Sequence, residues 1–285
     1  MTQATGKGSA EGGVDLWIGG ARVPPSTGQY FIDRNPENDQ PFARIAEASA
    51  ADIDRAVQAA QAAFDENRNR LAADREAWLS KAAGLFEKYR DDFVNILVDE
   101  VGSPFGKAHF EVQYAINCLR AAAGVARRVT GQTIPSDTPG RFSMSVREPL
   151  GVIASISPFN VPLLKNVKLS STPLATGNTV VLLTSEEAPM VANRLADLYH
   201  EAGVPAGAFN VITGFGDKIG DALTTHPLVK VVMFTGSSRI GKHIAGLCGP
   251  LMRRVVLELG GKNPMVVLAD ADLDAAVEAA AFSQF

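Results

Sequence analysis

Glu258 is a lone carboxylate inside an apolar run, Val255-Val256-Leu257-Glu258-Leu259, which is followed by Gly260, Gly261 and Lys262. Such a run predicts a fully buried strand. An acid in a buried strand must be paired or neutralised. Burial would also lift its pKa toward the range of a general base. Two readings stay open on these residues alone: a base facing a substrate, or a structural ion pair, with Lys262 the nearest partner in sequence. The two glycines let the backbone pass close to another group.

Four other apolar runs end in polar or glycine residues. The run from Gly151 ends in Ser157-Pro158-Phe159-Asn160-Val161-Pro162. The run from Asn178 ends in Thr184-Ser185-Glu186. The run from Phe209 ends in Thr213-Gly214-Phe215-Gly216, with Gly220 four residues on. The run from Val229 ends in Phe234-Thr235-Gly236-Ser237-Ser238-Arg239-Ile240-Gly241. Gly214, Gly216 and Gly220 give G-x-G-x-x-x-G, one residue longer than the dinucleotide fingerprint. Thr-Gly-Ser before a helix is a generic anion-binding start. Each alone fits an ordinary strand-to-helix turn equally well. Five polar strand ends in one sheet are harder to assign to turns.

The elements that must position these residues follow from the hydrophobic pattern. Five apolar strands alternate with helical segments, which predicts an α/β fold: a parallel sheet with helices on both faces. Ligands of such sheets bind beyond the carboxyl ends of the strands. Leu163 to Ala175 reads as a helix broken by Pro173, and Glu186 to Ala202 as a helix with Val191, Leu195 and Leu198 on one face. Upstream, residues 1–13 read as a flexible tail. Trp17 to Val23 reads as a turn between short strands, and Asn35-Pro36 and Gln40-Pro41 punctuate a second strand pair. Ser49-Ala50-Ala51-Asp52 is a capping-box helix start, followed by Ile53, Val57, Ala60 and Phe64 on one face. Three more helices are predicted: one carrying Trp78, Ala82, Leu85 and Tyr89, one from Asp91 to Val101, and one from Lys107 through Tyr114 and Cys118. From Gly131 to Pro149, apolar Phe142, Met144 and Val146 alternate with polar residues. That pattern fits either an edge strand of the main body or a projecting hairpin that joins another subunit.

Composition removes several function classes. The 285-residue chain is 46% hydrophobic and 20% charged, with a formal net charge of -4. This argues against a nucleic-acid or anionic-membrane surface. No apolar run approaches the ~20 residues of a membrane span. The N-terminus lacks the order of a signal peptide, so the expected location is cytoplasmic. The two cysteines, Cys118 and Cys248, each sit on an apolar helical stripe, which predicts core packing. Neither has a nearby His to activate it, and they suggest neither a disulfide framework nor a metal site.

Taken together these segments resemble the aldehyde dehydrogenase superfamily over nearly the whole chain. The resemblance rests on Ser157 to Leu163, on Ala175-Thr176-Gly177-Asn178-Thr179-Val180-Val181-Leu182, on Phe234-Thr235-Gly236-Ser237 and on Leu257-Glu258-Leu259-Gly260-Gly261-Lys262. It extends into Ala269-Asp270-Ala271-Asp272-Leu273-Asp274. Phe159-Asn160-Val161-Pro162-Leu163, together with Gly236 to Gly241, is most similar to the branch that oxidises aromatic aldehydes such as benzaldehyde, vanillin or salicylaldehyde.

The resemblance implies a Rossmann-like cofactor domain made of residues 14–130 and 150–260. It also implies an oligomerisation hairpin at 131–149, building a homodimer or higher homo-oligomer, and the start of a largely absent catalytic domain at 261–285. It implies a small aldehyde substrate, with NAD or NADP as acceptor. A cysteine thiolate would attack the aldehyde, the Asn160 amide would donate to the oxyanion, and Glu258 would activate the water that hydrolyses the thioester. Ser157, Phe159, Glu186, Gly216, Gly220, Thr235, Gly236, Ser237, Leu259 and Gly260 would contact the cofactor. Glu186 would bind the adenosine ribose, which favours NAD over NADP, and Ser237 the pyrophosphate.

Three departures accompany the resemblance. Leu183 stands where the family usually has a lysine that shares the ribose with the glutamate. The basic residue after Asn160 falls at Lys168, one place earlier than in many relatives. The expected nucleophilic cysteine would lie just past Phe285, and neither Cys118 nor Cys248 takes its place. Two functional expectations follow. One is the cofactor half of an aldehyde-oxidising enzyme, inactive alone; the other is a non-catalytic nucleotide- or partner-binding remnant. A short-chain dehydrogenase fits less well, because no Tyr-x-x-x-Lys pair occurs.

Overall fold

A computed structural model describes residues 12–284. Most of the expected N-terminal tail, and Phe285, lie outside the described residues. The chain opens with strands β1 (Leu16–Ile18), β2 (Ala21–Val23), β3 (Tyr30–Arg34) and β4 (Pro41–Ala46). Four helices follow: α1 (Ala50–Asn67), α2 (Ala72–Lys88), α3 (Arg90–Val101) and α4 (Phe105–Ala126). A short strand pair, β5 (Gln132–Ile134) and β6 (Ser143–Ser145), precedes the alternating half. That half runs β7 (Val152–Ile156), α5 (Pro162–Ala175), β8 (Thr179–Leu183), α6 (Pro189–Ala202), β9 (Phe209–Ile212) and α7 (Gly216–Thr225). It ends with β10 (Val229–Thr235), α8 (Ser238–Cys248), β11 (Arg254–Glu258) and α9 (Leu273–Gln284).

The main sheet has the order β11-β10-β7-β8-β9-β1-β2. The first five strands are parallel, as the βαβ alternation predicts. The β1–β2 hairpin adds antiparallel to β9 and extends the sheet. Strand periodicity explains the apolar runs. Val180, Leu182, Phe209 and Val211 point to one face, into the core built with α2 to α6. Val181, Leu183, Ile212 and Phe234 point to the other, toward α1, α7 and α8. With both faces covered, a strand gains by being apolar at every position.

α1 starts where the sequence says it should. The Ser49 hydroxyl accepts from the Ala51 and Asp52 amides, and the Asp52 carboxylate accepts from the Ser49 amide at 2.8 Å. Ile53, Val57 and Ala60 are fully buried below it. Such a cap contributes about 1 kcal/mol.

Two expectations are corrected here. Pro173 does not break α5, which continues to Ala175. Pro173 has no N–H for the Leu169 carbonyl one turn back. The Ser155 hydroxyl, on β7, donates to that carbonyl at 2.9 Å instead. β11 is not a fully buried strand. It is the edge strand of the sheet, and its side chains alternate between exposed and half-buried. Val255 and Leu257 pack on the core, while Val256 is 46% exposed. Residues 131–149 form a separate two-stranded hairpin rather than an edge of the main sheet, with Ile134, Phe142, Met144 and Val146 exposed.

Candidate functional site

The carboxyl ends of β7, β8 and β10 and the first turns of α7 and α8 surround a cleft of about 880 Å³. β7 contributes Ile156, Ser157, Pro158 and Phe159, and β8 contributes Leu183 through Glu186. β10 and the start of α8 contribute Phe234 through Ser237, Arg239, Ile240 and His243. α7 contributes Gly216, Asp217, Gly220, Asp221 and Thr224.

Backbone hydrogen bonds fix these loops. Ser157 N–H donates to the Leu183 carbonyl at 3.1 Å, and Thr184 N–H to the Ile212 carbonyl at 3.3 Å. The Thr184 hydroxyl donates to the Ala188 carbonyl at 3.0 Å, closing the loop that presents Glu186. Gly236 N–H donates to the Glu258 carbonyl at 3.0 Å. Two glycines are dictated by geometry. Gly214 adopts φ of 145°, where side chains are strained. A Cβ on Gly236 would stand 2.4 Å from the Phe234 ring.

The polar lining has spare hydrogen-bonding capacity. The hydroxyls of Ser157, Thr224 and Thr235 are buried and have no partner among the described residues. All three belong to the cleft wall. Buried hydroxyls without partners are costly, and a polar ligand would satisfy them. At the N-terminus of α8, Ser237 caps the helix by accepting from Ile240 N–H at 3.3 Å. That end carries the positive pole of the helix and suits an anion. Cβ atoms on Gly216 and Gly220 would meet nothing within 4 Å, so α7 offers a smooth face to the cleft.

Eight of the predicted residues therefore line one cleft: Ser157, Phe159, Glu186, Gly216, Gly220, Thr235, Gly236 and Ser237. Leu259 and Gly260 lie outside its wall. The Leu259 side chain fills the space beside Gly241, and Gly260 lies near the Ser238 hydroxyl. Asn160 and Glu258 are also outside the wall, exposed at its rim. Glu258 sits at the end of β11, in register with Thr235 of β10. The burial expected for Glu258 is absent, because β11 has a neighbour on one side only. Nor does it pair with Lys262 or any other cation among the described residues.

The remaining expectations resolve as follows. Leu183 is buried at the end of β8 and presents no donor to the cleft. Lys168 is exposed on α5, and its charge acts on Cys118 of α4 rather than on the cleft. Burial pushes the Cys118 thiol up, and the same cause raises Cys248. Neither thiol borders the cleft. Among the described residues no cluster of His, Cys, Asp or Glu could hold a metal ion. No described helix is long and apolar enough to cross a membrane.

Sequence reasoning missed Asp217, Asp221 and His243. Asp221 and His243 face each other across α7 and α8, with Nε2 and Oδ1 2.8 Å apart. The signal was available, since Gly216, Gly220 and Thr224 repeat every four residues and bring Asp217 and Asp221 to the same side of α7.

A profile described as the aldehyde dehydrogenase family matches residues 23–285. The chain belongs to that family. It is 41% identical over 275 residues to a vanillin dehydrogenase of a Pseudomonas species, covering 95% of this chain and 57% of that protein. A salicylaldehyde dehydrogenase from Pseudomonas putida G7, solved with salicylaldehyde, superposes with a TM-score of 0.91 at 36% identity, over 95% of this chain and 57% of that one. An NAD-dependent benzaldehyde dehydrogenase from Corynebacterium glutamicum gives 0.89 at 39% identity, over 95% and 59%. The chain thus spans little more than half the length of these aldehyde dehydrogenases.

Proposed function

We propose that this stretch is the nucleotide-binding half of an aldehyde dehydrogenase that oxidises an aromatic aldehyde to the acid, with NAD or NADP as acceptor. The observation that carries this reading is the set of three buried, unpaired hydroxyls in one cleft at the strand ends, opposite the capped start of α8. The cofactor supplies a hydride acceptor when bound. Glu186 holds the ribose hydroxyls, Ser237 and the α8 N-terminus the diphosphate, and Gly216 and Gly220 give the base room. Phe159 lies beside the diphosphate, and Thr235 and Gly236 line the reacting end, with Leu259 and Gly260 behind it. A carboxylate at Glu186 repels a 2′-phosphate, which favours NAD.

In the complete enzyme a cysteine thiolate attacks the aldehyde, and the Asn160 side-chain amide donates to the oxyanion. Glu258 then takes a proton from the water that hydrolyses the thioester. Asn160 and Glu258 at the rim of the cleft suit groups that face substrate rather than nucleotide. Cys118, half-buried, and Cys248, buried, both with raised thiols away from the cleft, cannot replace that nucleophile. Residues 14–130 and 150–260 thus form the cofactor domain, and 261–285 begin the catalytic domain. The exposed apolar side chains of the 131–149 hairpin suit a subunit contact in a homodimer or larger homo-oligomer.

The test is calorimetric titration of the 285-residue chain with NAD and NADP. NAD binding that is weakened in Glu186→Ala supports the reading. Equal binding by that variant overturns the role of Glu186. The chain alone should form no NADH with an aromatic aldehyde; NADH formation abolished by Glu258→Ala would overturn that part. A second reading, nucleotide binding without catalysis, is favoured by Leu183, which offers no donor to a ribose. A nucleophilic cysteine in the reading frame beyond Phe285 would exclude it.

A further inference from the structure

Behind the loop that presents Glu186, two carboxylic acids meet inside the protein. Glu100, near the end of α3, is 2% exposed, and Asp33, on β3, is 5% exposed. Glu100 accepts from the backbone N–H of Met190 and, at 3.1 Å, from that of Val191. These are amides of the first turn of α6, which begins at Pro189, immediately after the Glu186 loop. The Asp33 carboxyl is hydrogen-bonded to that of Glu100. One Asp33 oxygen, Oδ2, has no partner among the hydrogen bonds of the described residues. Two carboxylates cannot share a hydrogen bond unless one carries a proton.

We propose that Asp33 and Glu100 are positioning residues for the Glu186 loop, held together by one shared proton whose loss at alkaline pH loosens the loop and weakens nucleotide binding. The proposal rests on the reading of the cleft as a nucleotide site. Glu187, on the loop itself, acts on Asp33 as a further negative charge. The nearby cations are engaged elsewhere. Arg34 turns outward to Asp39 at 3.8 Å, Arg194 of α6 reaches Asp92 at 3.4 Å, and Lys107 of α4 lies 4.0 Å from Glu111. Burial pushes the Asp33 carboxyl up to about 7 and holds Glu100 well above the usual carboxylate range. Asp33 therefore ionises first, near neutral pH, and the one proton left between the two groups stays with Glu100 until the pH is higher still, where it too is lost. Two buried negative charges then repel each other beside Glu187.

The first measurement is hydrogen exchange at the Met190 and Val191 amides of the 285-residue chain, corrected for intrinsic rates, from neutral pH upward into the alkaline range. Protection should fall about tenfold, the factor that corresponds to about 1.4 kcal/mol. In Asp33→Asn, whose amide keeps a hydrogen bond to Glu100 but has no proton to lose, protection should stay level. The second is the Kd for NAD over the same range, expected to weaken several-fold in the wild type and to stay flat in Asp33→Asn. Glu187→Gln, at an exposed position, should move the break to lower pH, and it covers the case in which Asp33→Asn fails to fold. Level protection in the wild type, or an unchanged break in both variants, overturns the proposal while leaving nucleotide binding intact. A falling protection profile with no NAD binding at any pH overturns the nucleotide reading, and the positioning role with it.

Discussion

Two buried glutamates of the helical layer meet the first turns of two sheet-layer helices, and they are neutralised differently. Glu111 of α4 accepts from Leu164 N–H at 3.0 Å, in the first turn of α5, just past Asn160. Its counter-charge is Lys107, one turn earlier, at 4.0 Å. Glu100 of α3 does the same for α6, just past Glu186, but its neighbour is Asp33, and what neutralises the pair is a proton. A lysine keeps its charge across the physiological range, whereas a proton shared by acids does not. Both acids are raised by burial, Glu111 less far because Lys107 opposes the rise, so the loop bearing Asn160 rests on the junction that titrates less and the loop bearing Glu186 on the one that titrates more.

The largest effect should come from removing either glutamate at pH 6. Glu100→Ala loses two buried backbone hydrogen bonds and strands Asp33, and should cost about 3 kcal/mol in urea unfolding. Glu111→Ala loses one such bond and should cost about 2 kcal/mol. Equal losses would break the comparison. Next comes Asp33→Asn. The Asp33 carboxyl is raised to about 7 when folded and is near 3.9 when unfolded. The stability it contributes is present below about pH 4 and is lost as pH rises through about 7. At pH 8 the Asn variant should therefore be the more stable of the two. At pH 4 that advantage should vanish, and a pH-independent difference would sink the assignment. The smallest effect is that of Lys107→Met, about 0.5 kcal/mol because Lys107 is partly exposed. Burial already raises the Glu111 carboxyl, and Lys107 opposes that rise. The variant should therefore raise Glu111 further and make stability fall more steeply with pH than in the wild type, sharpening the likeness of the two junctions.

Much of this architecture was legible in the sequence. Four of the five parallel strands, β7 to β10, declare themselves because both faces are covered and most positions are apolar. The Ser49–Asp52 cap is a local signal, and so are the polar strand ends that gather in the cleft. β11 misled because Val255-Val256-Leu257 reads the same whether one neighbour covers it or two. Pro173 misled because the compensating hydroxyl comes from another element, 14 residues before the Leu169 carbonyl it serves. The acid pair left no trace, since Glu100 and Met190 are 90 residues apart. Asp33 in a half-exposed strand reads as a solvated charge. Contacts set by tertiary packing have no period to detect.

The bond from Ser155 to the Leu169 carbonyl has a consequence for descent. Pro173 creates the vacancy that Ser155 fills, so neither residue makes full sense without the other. A lineage that replaced Pro173 with a residue bearing an N–H would free position 155 to become alanine or valine. A lineage that lost Ser155 first would pass through a form with an orphaned carbonyl in its core. The two positions should therefore change together across related sequences, with the change at 173 leading.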